Sequence, residues 1–118
     1  MSPISKSAVL AVLVSLVVSV AALASSSATA VAVTAGKPSE FRFTLSKRAV
    51  PKGSVTFRVV NRGTVIHNFK IAGKKTKLIA KGKSATLTVA LPKAGKYTFL
   101  CTVPGHAAGG MKGVLTVR

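Results

Sequence analysis

Acid is almost absent from this chain. Glu40 is its one acidic residue against 18 Lys and Arg, and the formal charge is +17 over 118 residues. There is no Asp, so a hydrolase built on Cys101 and His106 lacks an orienting carboxylate, with Glu40 far off in sequence. A single Cys excludes any intramolecular disulfide. Heptads, internal repeats and a second domain are also missing, and the length suits one domain.

Charge is missing too between Lys6 and Lys37. Ala8 to Ala24 is a run of Ala, Val and Leu broken only by Ser15 and Ser19. A basic start, an apolar run and a small-residue A-x-A site predict a secretory signal peptide. Two sites fit, Ala22-Leu23-Ala24 and Ala28-Thr29-Ala30, and the second is preferred because β-like sequence follows it directly. The competing reading is an uncleaved anchor, for which a run of 17 residues is at the short end. Residues 1–30 are therefore read as a leader and 31–118 as the domain, which is expected to be periplasmic, at the cell surface or secreted. The domain has 88 residues and a formal charge of +16. One of that size has a modest core and often needs a staple. With no disulfide to be had, the staple is a metal.

What is present in the domain is period-2 alternation, which places alternate side chains on one face of a strand. Phe41, Phe43 and Leu45 form one set, and Val55, Phe57 and Val59 a second. His67, Phe69 and Ile71 share a buried face in a third, with Asn68 and Lys70 on the other side. Ala85, Leu87 and Val89 follow, then Tyr97, Phe99 and Cys101, and finally Val114 to Arg118. Gly- and Pro-containing turns separate these runs roughly every 10 residues. The pattern predicts an all-β sandwich or barrel with one wet face on each sheet.

Four soft or borderline metal donors remain in the domain: His67, Cys101, His106 and Met111. Three share one stretch, Cys101-Thr-Val-Pro-Gly-His106-Ala-Ala-Gly-Gly-Met111. Two imidazoles and a thiolate with a weak axial thioether form a blue-copper site, whereas zinc prefers stronger ligands than Met. Cys101 ends a strand, Pro104-Gly105 turns the chain back for His106, and Gly109-Gly110 returns Met111. Singly, each donor has a plain alternative: a buried Cys is usually inert and a Met usually core filler. Jointly, all four fall where one metal site needs them.

The stretch from Tyr97 to Val117, with its Pro-Gly-His-Ala-Ala and Gly-Met-x-Gly pieces, resembles the C-terminal copper loop of cupredoxins. It is most similar to the rusticyanin, sulfocyanin and auracyanin branch. Val65-Ile66-His67-Asn68-Phe69 resembles the segment that carries the first histidine of that family. The resemblance implies a Greek-key β-sandwich with one type 1 copper cycling between Cu(I) and Cu(II). It makes His67, Cys101 and His106 equatorial ligands and Met111 axial. Asn68 would tie the His67 strand to the Cys101 loop near the sulfur, and electrons would pass through a surface-facing His106. Thr102 to Gly110 carries no charge, which suits close approach of a partner.

Electron carriage between redox proteins is thus the leading expectation. The runner-up is copper binding for delivery, storage or resistance, which usually uses surplus Met and His that this chain lacks. An enzyme is not expected, because no His remains for further copper centres. The basic surface favours acidic redox partners, anionic membranes or acidic wall polymers. No specific nucleic-acid motif accompanies the charge, and a monomer is the expectation. A basic wall-binding domain with an idle site is the last alternative.

Overall fold

A computed structural model describes residues 28–118. All but the last three positions of the expected leader lie outside the described residues, as does the site ending at Ala24. The described chain contains no helix and forms nine strands: β1 (Thr29–Ala35), β2 (Phe43–Leu45), β3 (Ala49–Val50), β4 (Gly53–Asn61), β5 (Lys70–Ile71), β6 (Lys74–Lys75), β7 (Ser84–Leu91), β8 (Gly95–Leu100) and β9 (Lys112–Val117). They make two sheets, ordered β2-β1-β4-β7 and β3-β9-β8-β5-β6. Alternation predicts an all-β sandwich or barrel, and the two sheets form the sandwich.

β1 is the element that the alternating sets omit, since they begin at Phe41. It runs parallel to β4, from Thr29 opposite Val55 to Ala35 opposite Asn61. Val31, Val33 and Ala35 point inward and are buried. The strand crosses the expected boundary, because Thr29 and Ala30 pair with Val55 and Thr56.

Three other expectations are corrected. Phe41 precedes β2 instead of extending it, and it is 40% exposed, because it packs over His106 and not into the core. The segment from His67 to Ile71 is not one strand. His67 makes an isolated antiparallel bridge with Ile79, and regular pairing starts only at Lys70. Asn68, placed on the wet face by alternation, is buried because its side chain bonds to Thr102.

The two sheets meet on phenylalanines. Phe43 and Phe57 come from the first sheet, and Phe69 and Phe99 from the second sheet and the segment leading into β5. The Phe69 ring lies 5.3 Å from Phe43, 5.0 Å from Phe57 and 5.4 Å from Phe99, centroid to centroid. These are ordinary distances for favourable aromatic pairs. Phe69 is therefore the centre of the core and lies two residues from His67. The outer strand β6 is two exposed lysines, a charged edge that discourages pairing with another chain.

Candidate metal centre

His67 is held before any metal is considered. Its amide donates to the Ile79 carbonyl at 3.2 Å, and the Ile79 amide donates back at 2.7 Å. The preceding turn is shaped by Asn61, which is fully buried. The Asn61 amide nitrogen donates to the Val65 and Ile79 carbonyls, both at 2.8 Å, and its oxygen accepts from the Gly63 amide at 2.9 Å. A buried side chain with these bonds fixes both sides of His67 at once.

Cys101 follows the end of β8, and the chain from there to Met111 is a series of turns. His106 donates its amide to Val103 at 3.0 Å, Gly109 to Gly105 at 3.0 Å and Gly110 to Ala107 at 2.9 Å. Met111 closes the loop: its amide donates to the His106 carbonyl at 3.0 Å, and its carbonyl accepts from the Cys101 amide at 3.1 Å. Gly110 has φ +113°, and a side chain there would run into Arg42, whose guanidinium donates to the Gly110 carbonyl at 3.0 Å. The bend anticipated at Gly109-Gly110 thus also needs room for an arginine.

The fold brings together three of the four donors by side-chain atoms. The His67 and His106 Nδ1 atoms lie 3.1 Å apart, and Cys101 Sγ lies 3.5 Å from His106 Nδ1 and 4.0 Å from His67 Nδ1. Bonds of about 2.0 Å to nitrogen and 2.3 Å to sulfur in a trigonal site put neighbouring donors about 3.5–3.8 Å apart. The observed triangle fits a small thiophilic ion at its centre. Met111, the fourth donor, is fully buried at the loop's end, with its backbone bonded to both Cys101 and His106. His67 and Cys101 are buried as well, while His106 reaches the surface beneath Phe41, with ring centroids 4.9 Å apart.

Asn68 lies between the two ligand segments. Its side chain donates to Thr102 Oγ1 at 2.6 Å and accepts from the Thr102 amide at 2.7 Å. Its own amide points at Cys101 Sγ from 3.5 Å. Bonds to the sulfur are one of the levers on the potential of such a site.

Glu40 is the site residue that sequence patterns do not reveal. Far in sequence, it lies against His67 in space, with Oε1 2.8 Å from His67 Nε2. The Val65 amide bond holds its carboxyl down to about 2, burial opposes the shift, and Thr64 and His67 add to it. Burial lowers the pKa of His106, the His67 ring lowers it further, and Glu40 works against both. Both groups have folded pKa values below their unfolded ones, so the unfolded chain binds more protons across each window. Stability of the copper-free protein therefore rises with pH. The Glu40 part is lost as pH falls from 4.5 to about 2. The His106 part is lost as pH falls below 6.5. Denaturant midpoints followed against pH should show both arms, and Glu40→Gln should flatten the acidic one while deepening the other, because it removes the charge that holds the His106 pKa up.

Comparison with known proteins agrees with this geometry. The family model described as a cupredoxin-like domain matches residues 8–117. Auracyanin-B of Chloroflexus aurantiacus is 45% identical over 42 residues, 36% of this chain and 18% of that protein. The copper-resistant cuproprotein CopI of Pseudomonas aeruginosa is 49% identical over 41 residues, 35% of this chain and 23% of that protein. These matches span about a fifth of the relatives' length. Among solved structures, dithionite-reduced auracyanin from Roseiflexus castenholzii superposes with a TM-score of 0.66 at 28% identity, covering 78% of this chain and 98% of that one. Rusticyanin from Thiobacillus ferrooxidans gives 0.64 at 25% identity, covering 75% and 76%.

Proposed function

The chain belongs to the cupredoxin-like domain family, and from that premise we propose that it is an exported carrier of single electrons. Copper is the cofactor that the donor set and the family call for, and when bound it supplies the one-electron couple. His67, Cys101 and His106 would hold it through their clustered side-chain donors, with Met111 as the fourth ligand. The observation that carries it is the triangle of one sulfur and two imidazole nitrogens with edges of 3.1, 3.5 and 4.0 Å. Donors already held at metal-binding separations need little movement when the metal changes charge.

The remaining residues have separate tasks. Asn68 and Thr102 lock the His67 segment to the Cys101 loop, and the Asn68 amide faces the sulfur. His106 is the route by which electrons enter and leave, because it alone among the three clustered donors reaches solvent. Phe41, itself exposed, packs against its ring, and the loop from Thr102 to Gly110 is uncharged. A redox partner with an acidic rim can dock there against a strongly cationic molecule. The same charge favours an anionic membrane or wall surface. Of the two small-residue cleavage sites, the one ending at Ala24 leaves β1 whole.

Burial of Cys101 and Met111 favours holding copper over handing it on, which sets the carrier above copper delivery, storage or resistance. Redox titration of the Cu(II)-loaded protein tests the choice. The carrier loses its colour on taking up one electron per chain and regains it on reoxidation with the copper retained. Release of Cu(I) to a competing chelator on reduction, ahead of reoxidation, would favour delivery.

A further inference from the structure

Glu40 is the only acidic side chain in a protein with 18 Lys and Arg. Among the described residues, no Lys or Arg forms an ion pair with it, and its one partner among ionisable side chains is the His67 ring. Oε1 accepts from His67 Nε2 at 2.8 Å, and the same atom takes the Val65 amide at 3.0 Å. The Thr64 amide reaches Oε1 at 3.0 Å and Oε2 at 2.9 Å, and the Thr64 hydroxyl reaches Oε2 at 3.2 Å. Five donor contacts fix one carboxylate against one imidazole.

The backbone around it is cut to fit. Glu40 lies in the loop between β1 and β2, which Gly36 closes by donating to the Arg42 carbonyl at 2.9 Å. A Cβ at Gly36 would lie 2.5 Å from the Gly63 backbone, and one at Gly63 would lie 2.6 Å from Glu40 Oε1. The two segments approach so closely only because both positions are glycine.

Chemistry follows from the ring's two nitrogens. A hydrogen bond at Nε2 puts the ring proton there and leaves the Nδ1 lone pair free to face Cys101 and His106. Metal-bound histidines regularly donate their other N–H to a carboxylate, which orients the ring and raises its basicity. Here the carboxylate also brings a fixed negative charge. One electron entering a copper site lowers its net charge by one, so a nearby anion favours the oxidised form.

We propose that Glu40 is a positioning residue for the metal centre, holding His67 with Nδ1 free and biasing bound copper toward Cu(II). This rests on the copper reading above. Glu40→Gln keeps the size and an acceptor for the Thr64 and Val65 amides but removes the charge. Glu40→Ala removes both.

The test reads two quantities on the full chain. In the copper-free protein, ring nitrogen NMR shifts should place the His67 proton on Nε2, and Glu40→Ala should mix the tautomers. In the Cu(II)-loaded protein, Glu40→Gln should keep the visible band and shift the Cu(II) to Cu(I) affinity ratio about tenfold toward Cu(I), within the range of such outer contacts. For a one-electron couple that is a rise of about 59 mV. A purely structural Glu40 leaves the potential of the glutamine variant at the wild-type value, and that result, or an unchanged tautomer in Glu40→Ala, overturns the proposal. A wild-type protein that shows no copper–thiolate band overturns the copper reading itself, which separates the two failures.

Discussion

Cys101→Ser is expected to abolish the intense visible band of the Cu(II)-loaded protein while leaving the fold standing. The band requires a thiolate bonded to copper, and Cys101 is the one sulfur of its kind in the chain. Serine is close in volume, so the buried position keeps its packing, and the hydroxyl can take up the Asn68 amide 3.5 Å from the present sulfur. Stability of the copper-free variant should stay within about 1–2 kcal/mol of wild type, the scale of one altered hydrogen bond. Copper binding should suffer far more. Losing an outer contact to a metal ligand already costs about 10–100-fold in affinity, and losing the thiolate costs more than that, since a neutral hydroxyl is a poor ligand for either copper state. Absorption spectra and copper titrations of the two proteins decide the matter. An unchanged spectrum would put the thiolate outside the site and move a basic, wall-binding domain to first place.

The donors are legible in the sequence because they are scarce. With one Cys and two His in the whole chain, a metal site has few ways to be assembled. Cys101, His106 and Met111 also share one loop, whose turns follow local rules for Gly and Pro. Phe57, Phe69 and Phe99 are equally readable as core because strand alternation is local. β1 shows the limit of that reading. Val31, Val33 and Ala35 do alternate, but the run follows the apolar stretch of residues 8–24 closely in sequence, and hydrophobicity on its own does not separate the two. Glu40 shows a different limit. Its partners lie 24 to 27 residues away, and only the packing of the β1–β2 loop on the turn at Gly63 brings them together. A sole acid in so basic a chain is the one clue to it. Phe41 fails for a related reason, since period 2 continues past the end of a strand in sequence after pairing has stopped in space.

The largest stability effect is expected at Phe69, and it should depend on copper. Phe69 is fully buried and its ring meets Phe43, Phe57 and Phe99, so it joins the two sheets. Phe69→Ala removes that joint at a cost of about 3–5 kcal/mol, against a total of about 5–14 kcal/mol for a domain of this size. The copper-free variant should therefore melt more than about 10 °C below wild type. Copper binds the folded site, and free metal at a thousand times its dissociation constant restores about 4 kcal/mol by mass action. The loaded variant should thus recover most of the loss, unless the cavity two residues from His67 loosens the donor triangle and weakens binding. The double variant Phe69→Ala, Cys101→Ser separates these effects, because it keeps the cavity and loses the strongest ligand. If copper rescues the single variant and not the double one, the metal is the staple that a small core without disulfides needs. Equal rescue of both would mean that copper stabilises this chain from somewhere other than Cys101. Thermal melts of the four proteins with and without copper distinguish these outcomes.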